Sequence, residues 1–333
     1  MRILVFGAGG YLGIPLCESL AARGHEVWPV DRWFFGKYPN LPTPPVIGDI
    51  RTVKAPLFAG IDAVVDLAGL SNDLTAEIDP ELTRSINIEG GKRLATLACN
   101  AGVRRYVYSS SASVYGAGDR PNLTETDACK PLTLYARSKV EVEDHLRSIA
   151  GDGFEPVILR NATVFGVAPR MRFDLAINVM TLRAYKEGRI FVMGSGEQWR
   201  PFVAVQDVVM AFILALEFSP KDVSGQTFNI GTANHTISQI AKKVKDQFPM
   251  AETLTIPDDP DRRSYSCSFD KINSLASKWC EPVTIDDQID RMSKMLRDGT
   301  LKDDPTCHTL QWYKSLLEWD KRLADIRLGG RIL

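Results

Sequence analysis

The chain has no apolar run long enough to cross a bilayer. Its longest, Val208 to Leu216, is nine residues flanked by Asp207 and Glu217, against the roughly 20 that a spanning helix needs. Ile3 to Phe6, behind Arg2, are interrupted at once by glycines, so they read as a buried strand and not as a signal peptide. Charge of either sign is missing as a surplus. Forty basic and 41 acidic residues leave a formal net charge of −1, no basis for binding nucleic acid or an anionic membrane. The six cysteines (Cys17, Cys99, Cys129, Cys267, Cys280, Cys307) form no Cys-x-x-Cys pair, and His25, His145, His235 and His308 show no ligand spacing. No metal site and no disulfide framework are expected; the thiols suit a reducing cytoplasm. Internal repeats and low-complexity tracts are also lacking.

What is present is a regular alternation of apolar runs and helical periodicity. Strands are expected at residues 2–6, 26–30, 46–50, 62–69, 105–109 and 157–160, with helices at 14–23, 81–101 and 135–150. That order predicts an α/β fold with a doubly wound parallel sheet, a Rossmann domain. After Gly166 the texture becomes less regular, with strand-like returns at 202–205 and 227–230. The expected division is a dinucleotide-binding core over 1–165, with return segments at about 201–232, and a smaller interleaved α+β substrate domain over 166–333. The tail from Thr309 to Asp325 reads as an amphipathic helix docking on its own chain.

Gly7, Gly10 and Gly13 form G-x-x-G-x-x-G between the first strand and the first helix, and Asp31 follows 18 residues after Gly13. Glycines let a pyrophosphate reach the free N–H groups at a helix N-terminus, and the acid accepts the ribose hydroxyls, favouring NAD over NADP. Arg32 softens that preference. Further along, Ser111 precedes Tyr135-Ala136-Arg137-Ser138-Lys139, in which phenol and ammonium share one helix face. A unit charge at about 4 Å, with an effective dielectric of about 20, is worth roughly 4 kcal/mol, or about three pKa units. Lys139 is therefore expected to lower Tyr135 towards neutrality, where it can exchange protons with a substrate hydroxyl held by Ser111.

Together with Gly48-Asp49-Ile50, Leu67-Ala68-Gly69 and Asn87, these motifs make the chain resemble an extended short-chain dehydrogenase/reductase of the nucleotide-sugar epimerase/dehydratase group, UDP-glucose 4-epimerase-like, over nearly its whole length. The resemblance implies tightly held NAD, bound by Gly7, Gly10, Tyr11, Leu12, Gly13, Asp31, Arg32, Asp49, Ile50, Leu67, Ala68, Gly69 and Asn87 beside Tyr135 and Lys139. It implies Ser111, Tyr135 and Lys139 as the catalytic residues. For the partner, it implies a nucleotide-diphosphate sugar contacted by Ser111, Ser113, Thr163, Asn178, Arg200, Arg262, Arg263 and Tyr265, with Arg170 to Asp174 nearby. A homodimer through the helix at 135–150 is implied as well.

Departures from the family pattern narrow the chemistry. Ala204 stands where the family often has histidine, and Thr163 where many epimerases have a substrate-binding asparagine. Ala112 and Ser113 occupy the places where dehydratases and decarboxylases carry an acid. The resulting expectation is epimerisation, most simply at C4, by transient oxidation and re-reduction. A nucleotide-sugar ketoreductase consuming NADPH is the alternative, with a 4,6-dehydratase behind it. A cofactor-sensing regulator would be expected to have lost Tyr135 or Lys139, and both are present.

Overall fold

The computed structural model describes residues 1–36, 38, 40–151, 153–257, 263–275 and 282–327. Arg262 and Cys280, named above, lie outside the described residues. The first strand, β1 (Arg2–Phe6), is followed by α1 (Gly13–Ala22), β2 (Glu26–Asp31), the two-residue β3 (Val46–Ile47) and β4 (Ala63–Asp66). Two short helices, α2 (Asp73–Ala76) and α3 (Pro80–Thr83), lead through a π-helical turn at 84–90 into α4 (Gly91–Asn100). Next come β5 (Arg105–Ser111), α5 (Leu134–Ile149) and β6 (Glu155–Asn161).

These strands form a seven-stranded sheet in the order β10-β6-β5-β4-β1-β2-β3, where β10 is Thr227–Ile230. Every neighbouring pair is parallel, as the strand–helix alternation predicts. Pro29 loses nothing by lacking an N–H. Val30 turns its carbonyl to Gly7, on the β1 side, so Pro29 points the other way, where β3 pairs only from Val30 onward.

The second half begins with β7 (Thr163–Phe165), α6 (Ala176–Glu187), β8 (Arg189–Met193), β9 (Trp199–Ala204) and α7 (Val205–Glu217). It continues through α8 (Pro220–Val223), β11 (Ala233–Thr236), α9 (Ile237–Gln247), β12 (Glu252–Ile256), α10 (Asp270–Leu275), α11 (Ile285–Arg297) and α12 (Thr309–Ile326). Here β9 pairs with β7 in parallel and with β11 antiparallel, in a separate three-stranded sheet. That corrects two boundaries. Residues 163–165 and 201–204, grouped with the first region on sequence grounds, belong to the second sheet, where buried Phe202 packs with Phe165. By contrast, α7 and β10 do return to the large sheet, α7 against α1 and β10 beside β6.

The helix expected over 81–101 is likewise divided. Its wide π turn aims Asn87 at Leu70, whose N–H and C=O it holds at 2.8 and 3.0 Å.

Under β5 and β6, Glu143 is wholly buried and receives Arg160 at 2.7 Å and the Ser110 hydroxyl at 2.5 Å. Burial pushes this carboxyl up, but Arg160, Ser110 and Arg147 outweigh it and hold it below its ordinary value. A depressed carboxyl contributes stability above its unfolded pKa and loses it as pH falls. Glu143→Gln, which strands the buried guanidinium, should therefore cost about 3–5 kcal/mol at pH 7. Urea titrations should show the gap closing in acid.

Candidate active site

The winding of the sheet reverses between β1 and β4, and ligands of such sheets bind outside the carboxyl ends of the strands at that point. Gly7, with φ of 79°, turns the chain there so close to β4 that an added Cβ would sit 2.8 Å from the Leu67 carbonyl carbon. At Gly13 a Cβ would come within 2.3 Å of the Gly7 oxygen. Both positions need glycine, and the result is a bare backbone cradle at the N-terminus of α1. From it runs a single cleft of about 1020 Å³.

Gly7, Gly10, Tyr11, Leu12, Gly13, Asp31, Arg32, Asp49, Ile50, Leu67, Ala68 and Gly69 line one end of the cleft, and Ser111, Ser113, Tyr135, Lys139, Thr163, Arg200, Arg263 and Tyr265 line the other. Asp31 accepts from the Gly9 and Trp33 amides at 3.0 and 2.7 Å; a carboxylate keeps further lone pairs for a ribose hydroxyl. Arg32 pairs with Asp49 at 2.8 Å, and Arg51 pairs with the same carboxylate at 2.6 Å. The bond from Arg51 is the main reason the Asp49 carboxyl is held well below its ordinary range.

Two of the expected residues do not line the cleft. Asn178 is 0% exposed and faces away from the cleft; its amide donates to the Tyr11 hydroxyl and the Arg172 carbonyl and accepts from the Gly166 amide. Both its amide hydrogens are thereby engaged. Asn87 is also absent from the wall and acts one step back, by holding Leu70 next to the 67–69 segment.

Ser111, Tyr135 and Lys139 do come together, but not with the expected electrostatics. Thr133 caps α5, accepting from the Ala136 amide at 3.1 Å, and so places Tyr135 in the first turn. Ser113 donates its hydroxyl to Ser111 Oγ at 2.9 Å and its amide at 3.2 Å. That fills the oxygen's acceptor sites and leaves the Ser111 hydrogen for Tyr135 or a bound oxygen.

Lys139 Nζ lies 5.6 Å from the Tyr135 ring centroid and donates to the Ser109 carbonyl at 2.7 Å. Burial pushes Tyr135 up to about 12, helped by Asp73 and opposed by Arg172, the Ser111 bond and Arg263. Burial also brings Lys139 down to about 8, against Asp66 and Glu143. The expected lowering of Tyr135 by Lys139 is thus overturned: desolvation outweighs a cation whose nearest partner is a backbone carbonyl.

Ser71, Asn72 and Asp73 escaped the sequence reading, and they meet Arg263 and the 170–174 segment that it expected at this end. Asp73 accepts from Thr133 and pairs with Arg263. Arg172 pairs with Asp174 at 2.6 Å and donates to Ser71 at 3.1 Å, while Asn72 donates to Asp174 at 2.8 Å. The acids and amides of the loop after β4 carry no motif, so only folding brings them to the residues around 172.

A family model, NAD dependent epimerase/dehydratase family, matches residues 3–231. The chain belongs to that family. A UDP-glucose 4-epimerase of Mycolicibacterium smegmatis is 30% identical over 279 residues, 78% of this chain and 85% of the relative. A UDP-N-acetyl-alpha-D-glucosaminuronate decarboxylase of Bacillus cytotoxicus is 29% identical, across 73% of this chain and 79% of its own length. Among solved structures, MoeE5 in complex with UDP-glucuronic acid and NAD matches with a TM-score of 0.80 at 25% identity, over 90% of this chain and 100% of MoeE5. The reactions named for the two relatives differ, while all three names carry a UDP-sugar. No helix among the described residues of this family member is long and apolar enough to cross a membrane, and no metal-binding cluster occurs among them.

The buried lysine has a measurable signature. A lysine with a depressed folded-state pKa binds fewer protons folded than unfolded between about 8 and the ordinary 10.5, so stability rises with pH across that window. Relative to Lys139→Met, the native chain should gain on the order of 3 kcal/mol there. Paired urea curves at pH 7.5 and pH 10 test it; a pH-independent gap would show that Lys139 is not held in this way.

Proposed function

We propose that this chain is a nucleotide-sugar epimerase that binds NAD tightly and inverts a sugar carbon, C4 in the simplest case, by oxidising and re-reducing it. The observation that carries this reading is the continuity of one cleft from the glycine cradle to Ser111, Tyr135 and Lys139, with Ala112 and Ser113 in the positions where elimination would need an acid. The donor set fits the dinucleotide: free amides at the start of α1, the Asp31 carboxylate at the end of β2, and close backbone approach at Gly7 and Gly10. When bound, NAD supplies a hydride acceptor and a positive charge at its nicotinamide.

Tyr135 then exchanges the proton of the sugar hydroxyl. With its pKa at about 12 it is an acid at neutral pH, so the added positive charge and the Ser111 hydrogen bond are what bring it within reach of a base. Ser111 holds the reacting oxygen, and Ser113 aims Ser111. Lys139, anchored on Ser109, keeps a cation under the tyrosine face. Arg200, stacked 5.8 Å over Tyr265 and donating to the Trp199 carbonyl at 2.8 Å, anchors the diphosphate while the sugar turns.

Asp73 favours a second reading. Its carboxylate lines the same end of the cleft and is felt by Tyr135, which an elimination or decarboxylation would use. Its engagement by Thr133 and Arg263 makes it the weaker case.

Purified protein offered UDP-, dTDP-, GDP- and CDP-sugars without added cofactor should form the epimer of one, seen by proton NMR with no net NADH. Tyr135→Phe should lower kcat by about 10²–10⁴-fold with the NAD content per chain unchanged. Formation of a 4-keto-6-deoxy sugar, or stoichiometric cofactor consumption, would replace the epimerase reading with a dehydratase or a reductase.

A further inference from the structure

Four buried side-chain polar atoms among the described residues have no hydrogen-bond partner, and one of them belongs to a charged group: Arg170 Nε. Arg170 is 3% exposed and lines the cleft. A single polar bond holds it, from a terminal nitrogen to Thr309 Oγ1 of α12 at 2.8 Å. Its guanidinium carbon lies 3.7 Å from the centre of the Phe35 ring. Among the described residues no carboxylate pairs with it, whereas Arg172 beside it finds Asp174. Burial, followed by the like charge of Arg172, depresses its pKa to about 10. Removing a charge from water without a partner costs several kcal/mol, so this guanidinium is fitted to meet an anion.

Its location points to which anion. Tyr11, Asp31 and Arg170 line the same cleft, and Arg170 is close enough to favour the ionised form of both the other groups. Tyr11 sits on the glycine turn, where a dinucleotide's pyrophosphate binds, and Asp31 at the end of β2, where its ribose follows. The substrate end, by contrast, has its own arginines in Arg200 and Arg263.

The mounting is specific too. Phe35 meets the edge of Tyr313 at 5.5 Å, Tyr313 meets Phe34 at 6.1 Å, and Trp312 Nε1 donates to the Phe34 carbonyl at 2.7 Å. In this way α12 and the loop after β2 hold Arg170 between them.

Building on the reading of the cleft as a dinucleotide site, we propose that Arg170 binds the pyrophosphate of the cofactor from the side opposite the glycine turn. The C-terminal helix, through Thr309 and Tyr313, sets its orientation. Cofactor retention then depends on a helix far from the Rossmann motifs in sequence. The geometry is that of a guanidinium offering its free N–H groups to phosphate oxygens, a strong and directional contact.

The test uses the full chain freed of nucleotide, with binding of ADP-ribose, adenosine and UDP followed by calorimetry. Arg170→Gln should weaken ADP-ribose by about 10- to 100-fold and leave adenosine and UDP unchanged. Thr309→Val should weaken ADP-ribose less, in the same pattern. Without ligand, Arg170→Gln should melt no lower than the native chain, because an unpaired buried charge has been removed; a purely structural arginine would lower the midpoint. Equal loss for adenosine, loss for UDP alone, or unchanged ADP-ribose binding would each overturn the proposal while native binding of ADP-ribose leaves the dinucleotide reading standing. Failure of the native chain to bind ADP-ribose would overturn both.

Discussion

Gly7 lies against the Leu67 carbonyl with no room for a methyl group between them. That contact joins the carboxyl ends of β1 and β4 at the point where the sheet reverses its winding. A side chain there would fill the space from which the cleft begins. Gly13, packed on the Gly7 oxygen, brings the amides of α1 to the same place. The contact also fixes Leu67 to Gly69, next to Leu70, which Asn87 holds from the π turn. The dinucleotide end of the site is therefore a consequence of backbone proximity more than of any side chain.

At the other end, burial sets the chemistry. Lys139 is buried and Tyr135 half-buried, and desolvation pushes each towards its neutral form. Charges from different segments then compete around the phenol: Asp73 raises its pKa, while Arg172 and Arg263 lower it. These three come from the start of α2, the segment after β7 and the loop before α10. A tyrosine tuned by such distant segments responds to whatever displaces or joins those charges.

Much of this was legible without coordinates. Parallel strands, the glycine turn, Asp31 and the Tyr135-to-Lys139 spacing depend on neighbours within one or two elements, where periodicity and spacing decide the outcome. The short β3 and the divided helix at 81–101 were less legible, because pairing partners and a wide helical turn set their ends. Asn178 misled because a family position says nothing of rotamer: its amide is consumed by Tyr11, Gly166 and Arg172. Lys139 misled in sign because a shared helix face gives proximity without giving the dielectric around it.

By itself the sequence determined the winding of the large sheet, the place of the dinucleotide cradle, and the assembly of a serine, a tyrosine and a lysine near it. These are local consequences of glycine conformation, strand burial and helix spacing. Only the tertiary structure decided what each charge does. Desolvation and through-space pairing depend on segments a hundred or more residues apart, as when Asn72 meets Asp174, Arg263 meets Asp73, and Thr309 meets an otherwise unpaired Arg170.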